Sequence, residues 1–136
     1  MPDEKANARE IQAPLSVGEL IDKITILEIK AQRIKDPEKL RNITKELNVL
    51  VGVRDAAGLD TPRMAAFSAE LKTVNETLWD IEDGLRELEA RQDFGRRFIE
   101  LARNVYLNND ARARIKRQIN QASGSAIVEE KSYRGG

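Results

Sequence analysis

The sequence predicts an all-α fold, an antiparallel bundle of four to five helices joined along coiled-coil-like heptad seams. Three observations carry that expectation. Apolar residues recur at alternating intervals of three and four through most of the chain, the seam pattern of packed helices. Cap-like pairs, Asp36-Pro37 and Thr61-Pro62, punctuate the pattern where helices would start. No stretch alternates with the period of two that a half-buried strand requires.

Residues 1–15 carry no periodicity and end in Ala13-Pro14, which disfavours helix just before the proline, so they read as a mobile N-terminal arm. The bundle is expected over 16–124. Ser16-Val17-Gly18-Glu19 has the form of a capping box, in which the serine hydroxyl accepts from an orphan amide and the glutamate reaches back. Val17, Leu20, Ile24, Leu27, Ala31 and Ile34 then mark a seam, and a helix over about 17–35 follows. Asp36 caps a second helix that Pro37 opens. Leu40, Ile43, Leu47 and Leu50 are its seam, and Gly58 offers a left-handed stop. The short link makes the pair an antiparallel hairpin. A third helix over about 62–91 keeps its register through Met64, Phe67, Leu71, Val74, Leu78, Ile81, Leu85 and Leu88. After Gln92-Asp93-Phe94-Gly95, with Asp93 as the expected cap, Phe98, Leu101 and Val105 restart the pattern. Continued, that register puts Asn108 and Arg112 at core positions, so Asn108-Asn109-Asp110 marks a break capped by Asp110 or a kink, and the break is favoured. Gly124 ends the last helix. Residues 125–136 read as a tail whose Ile127, Val128 and Tyr133 can fold back.

Composition removes most enzyme templates. With no cysteine and no histidine there are no disulfides, thiolate sites, cysteine nucleophiles or imidazole bases, and no metal or other cofactor is expected. The 23 basic and 23 acidic residues cancel, so no global field favours nucleic acid. No apolar run approaches membrane-spanning length and no signal-like segment opens the chain, which points to a soluble cytoplasmic protein without membrane contact. The sequons at Asn42 and Asn75 carry no meaning in that setting.

Four features stand out. The first helix is apolar beyond its seam, with Ile21 at e, Ile26 at c and Ile29 at f. It is therefore either central within one chain or half of an interface between chains. Trp79, at b, is expected to anchor a helix crossing near Gly84 or to face a partner; with the three isoleucines it forms the candidate interface. The acidic pairs Glu19/Asp22 and Asp80/Asp83 have metal-compatible spacing, but their c and f positions predict a solvated face. The basic stretch 91–117 either complements the acidic third helix internally or gathers Arg103, Tyr106, Asn109, Arg112 and Lys116 into an anion-binding cluster. Nucleic acid is disfavoured because Tyr106 is the sole aromatic among those bases outside the core pattern. The Arg134-Gly135-Gly136 ending matches ubiquitin-like modifiers, but those contain sheets and this chain shows no strand pattern.

The blocks Leu15–Lys30 (LSVGELIDKITILEIK), Leu78–Asp83 (LWDIED), Phe98–Arg103 (FIELAR), Asn109-Asp110 with Lys116-Arg117, and Glu129–Tyr133 (EEKSY) occur in one order. In these the chain resembles a family of short bacterial proteins of unknown function. The resemblance implies a bacterial source and one compact helical unit, and it draws the Glu129–Tyr133 block into the fold. It carries no activity and no catalytic residue. The sequence thus favours a homodimeric, non-catalytic interaction module with an unidentified protein partner. The rival is a small helical enzyme or binder of an anionic metabolite, with Lys23, Lys30, Arg103, Arg112 and Lys116 converging on a pocket.

Overall fold

The computed structural model describes residues 9–132; the expectations for the first part of the N-terminal arm, for Tyr133 and for the Arg134-Gly135-Gly136 ending lie outside the described residues. Four helices make up the described chain, with no strand: α1 (Val17–Arg33), α2 (Pro37–Ala56), α3 (Pro62–Ala90) and α4 (Arg96–Ser123). Residues 9–15 precede α1 without helix.

The caps explain where the helices start. Ser16 Oγ accepts from Glu19 N at 3.1 Å, Asp36 Oδ2 from Lys39 N at 2.9 Å, and Thr61 Oγ1 from Met64 N at 3.2 Å, each satisfying an amide the helix leaves unpaired. Only the serine half of the expected capping box forms, because the Glu19 carboxylate is held by Lys116. Gly58 (φ 71°) follows α2, and Gly124 (φ 67°) caps α4 in the left-handed region that glycine enters without a Cβ penalty. The cap of α4 is Gly95 rather than Asp93, whose Oδ1 instead accepts from Gly95 N at 3.1 Å in the preceding turn.

The expected break at Asn108-Asn109-Asp110 does not occur: α4 runs unbroken through it. The polar residues at its inward positions have polar partners, so the helix has no reason to stop. Arg112 sits at a core position because a buried carboxylate, Asp22, waits there.

Helix α1 is the hub, since it packs on all three others while α2 touches only α1. It runs parallel to α3, as the contacts of Asp22 with Asn75 and of Arg33 with Asp80 require. It runs antiparallel to α4, where Gly18 meets Asn120 and Asp22 meets Arg112. Ile21 and Ile29, each 1% exposed, are enclosed by a single chain and present no surface to another. One core cluster joins Ile21, Met64, Leu71 and Ile119. A second joins Ile81, Leu88 and Leu101 between α3 and α4; it starts at the level of Asp80, which Arg33 at the end of α1 reaches, and continues where α3 and α4 project past α1 as a two-helix hairpin. Lengths explain the projection: 17 residues of α1 span roughly 26 Å, and 29 residues of α3 about 44 Å. On α3, Leu71 and Ile81 are buried, whereas Val74, Leu78 and Leu85 of the same expected stripe are only partly so.

Gly84 does mark a close crossing, for a Cβ there would lie 2.9 Å from Leu101 Cδ1 of α4. Trp79 is not part of it. Its ring instead carries the Arg33 guanidinium at 5.6 Å, and Arg33 also pairs with Asp80 at 2.6 Å.

Candidate functional site

The polar centre of the molecule lies where α1, α3 and α4 meet. Asp22 is fully buried, which reverses the expectation of a solvated face for it. The heptad position f is exposed only when a helix has one partner, and α1 has three. Arg112 donates to Asp22 from Nε (3.0 and 3.1 Å) and from one terminal nitrogen (2.6 Å), a charge-assisted fork across α1 and α4. Asn75 Nδ2 donates to Asp22 Oδ1 at 2.9 Å and to Thr25 Oγ1 at 3.0 Å, and Thr25 donates to the Asp22 carbonyl at 2.7 Å. The hydrogen bond to Asp22 raises the Arg112 pKa against the opposing effect of burial, so the guanidinium stays charged.

One turn nearer the start of α1, Lys116 Nζ lies 2.7 Å from Glu19 Oε2 and 3.6 Å from Glu129 of the tail. Burial works to raise the Glu19 pKa, but hydrogen bonds involving Lys116 and Glu129 outweigh it and leave it lowered. Glu129 is raised, first by its hydrogen bond with Glu19 and then by burial. The helices approach closely here. A Cβ on Gly18 would stand 2.6 Å from the Lys116 carbonyl oxygen, and Gly18 N donates to Asn120 Oδ1 at 2.7 Å.

Two concavities flank this network and share Asn109 and Arg112. One, about 310 Å³, lies along α4 from Asn109 to Asn120 and is walled by Glu129, Glu130 and Lys131 of the tail. The other, about 480 Å³, is bordered by Ile26, Ile29, Leu78 and Trp79 together with Asn75 and the acidic rim of Glu82 and Asp83. Of the five residues expected to form an anion cluster, the structure brings together Asn109, Arg112 and Lys116. Arg103 and Tyr106 are exposed and border neither cavity. Asn120, Arg117 and Asn75 enter instead. Lys23 and Lys30 also border neither cavity.

Among the described residues no ion pair joins α3 to α4; Arg112 and Lys116 pair with α1, and Lys116 and Arg117 with the tail. The basic helix is thus not the internal complement of the acidic one. No group of acidic side chains among the described residues is arranged to hold a metal, and no described helix is long and apolar enough to cross a membrane.

The fold and its polar centre define an all-helical bundle organised around one central helix. The chain belongs to the family of unknown function DUF6165, whose model spans residues 11–136. No curated protein and no solved structure matches it significantly.

Proposed function

We propose that the chain is a non-catalytic interaction module that works as a homodimer through the projecting α3–α4 hairpin. The observation that carries this reading is the uncovered hairpin face. Past Asp80, which Arg33 at the end of α1 reaches, only α3 and α4 pack on each other around Leu88 and Leu101, and Ile99 and Tyr106 on α4 are 55% and 54% exposed. A second hairpin laid across the first in a two-fold arrangement would complete a four-helix core.

Charge supports a second copy as the occupant. Glu82 and Asp83 of α3, and Arg103 and Arg114 of α4, take part in no ion pair among the described residues. An antiparallel copy brings the acidic helix of each chain to the basic helix of the other.

Light scattering of the purified protein tests the reading. The expected mass is near twice the 15.3 kDa of one chain, and Ile99→Glu, at an exposed position, is expected to return it to one chain without loss of helicity. A single-chain mass at every concentration overturns the proposal.

A further inference from the structure

Asn75 is 6% exposed, and its Nδ2 donates to Asp22 and Thr25. A carboxylate only accepts, so the amide cannot turn over, and Oδ1 faces away from that pair. No donor among the described residues reaches Oδ1. No side-chain nitrogen or oxygen there is both sealed from solvent and unpartnered, so Oδ1 opens on the cavity of about 480 Å³ that Asn75 borders. Asn75, Trp79, Glu82 and Arg86 follow one another at helical spacing and form one stripe of α3. Helix α1 ends at Arg33, level with Trp79, so Asn75 marks the inner end of the cavity and the exposed Glu82 and Arg86 its mouth. Ile26, Leu78 and Trp79 line the space between. Arg112 is held by Asp22, whereas Glu82 and Arg86 join no ion pair among the described residues.

We propose that this cavity binds an aromatic α-amino acid whose ring ends in a hydroxyl, with the hydroxyl on Asn75 Oδ1 and the zwitterion at the mouth. The inner end offers one neutral acceptor. An ammonium there would keep donors unpaired away from water, whereas a hydroxyl has one proton to place. At the mouth, Glu82 suits the ammonium and Arg86 the carboxylate, each still in contact with solvent. From Asn75 to Glu82 the helix rises roughly 10 Å, a span that calls for an extended body rather than a single small ion. A ring fills it against apolar walls at little cost in side-chain freedom. The volume falls within the range of small-molecule pockets, and α1, α3 and α4 of a single chain supply every wall.

Calorimetric titration of the full chain with L-tyrosine tests the proposal, and Trp79, the chain's one tryptophan, reports by its fluorescence that the ligand lies in this cavity. Phenylalanine, which lacks the hydroxyl, is expected to bind roughly tenfold more weakly because Asn75 Oδ1 then stays unpaired. Glu82→Gln, at an exposed position, is expected to weaken both tyrosine and tyramine. Arg86→Ala, also exposed, is expected to weaken tyrosine and leave tyramine, which has no carboxylate, unchanged. Absence of tyrosine binding, phenylalanine binding as tight as tyrosine, or an equal loss of tyrosine and tyramine in Arg86→Ala each overturns it.

Discussion

Replacing Arg112 with leucine strands the Asp22 carboxylate. Asp22 has no exposed surface, and three of its side-chain hydrogen bonds come from Arg112, leaving only Asn75 Nδ2. Removing one partner of such a buried pair costs about 3–5 kcal/mol, because the remaining charge keeps its desolvation penalty and loses its compensation. That is a large share of the roughly 5–15 kcal/mol by which a domain is stable. Removing both charges together, Asp22→Leu with Arg112→Leu, leaves no orphan and is expected to recover much of the loss. Urea unfolding followed by circular dichroism measures each term, with the single variant's midpoint falling by roughly 1 M or more. A loss below about 1 kcal/mol for Arg112→Leu would mean that the pair is not closed off from water as described.

Two further outcomes follow from the same region. Gly18→Ala is expected to lower stability by about 1–3 kcal/mol in a thermal or urea melt, because a Cβ would meet backbone, the Lys116 carbonyl, which no side-chain rotation can move; an unchanged melt would refute the close crossing. The docked tail is expected to hold more tightly as pH falls from neutral. Glu129 has a raised pKa when docked, facing Glu19 and Lys116, so its contribution is full below the ordinary carboxylate value and lost as pH rises through the raised one. Glu19, whose value is lowered, loses its contribution only at more acidic pH. Heteronuclear NOEs of residues 129–131 should rise on acidification and lose that dependence in Glu129→Gln; a fall on acidification would contradict the assignment.

The helix starts were legible because a cap is a local event: a hydroxyl or carboxylate three residues from an amide reads directly from the sequence at Ser16, Asp36 and Thr61. The polar centre was less so. Heptad lettering assumes a seam with one neighbour, and on that assumption Asp22 faces water. The warning lay around it, in Ile21, Ile26 and Ile29, which already said that α1 was apolar beyond its seam at that level. A carboxylate in such a helix needs a buried cation, and the register of α4 had put Arg112 at a core position. Read separately, the two looked like a solvated acid and a broken helix; together they are one ion pair. Asn120 and Gly18 left no such trace, since their meeting depends on how closely two distant helices approach.

The ties between the first helix and the last also set when the fold can close. Val17 and Gly18 donate to Ser125 and Asn120, and Asp22 awaits Arg112, across sequence separations of 108, 102 and 90 residues. The hub helix is synthesised well before the groups that satisfy its amides and its carboxylate. A chain stopped short of Arg112 would have to bury an acid with no counter-charge or leave its central helix in water. The ion pair thus ties the enclosure of α1 to the synthesis of α4.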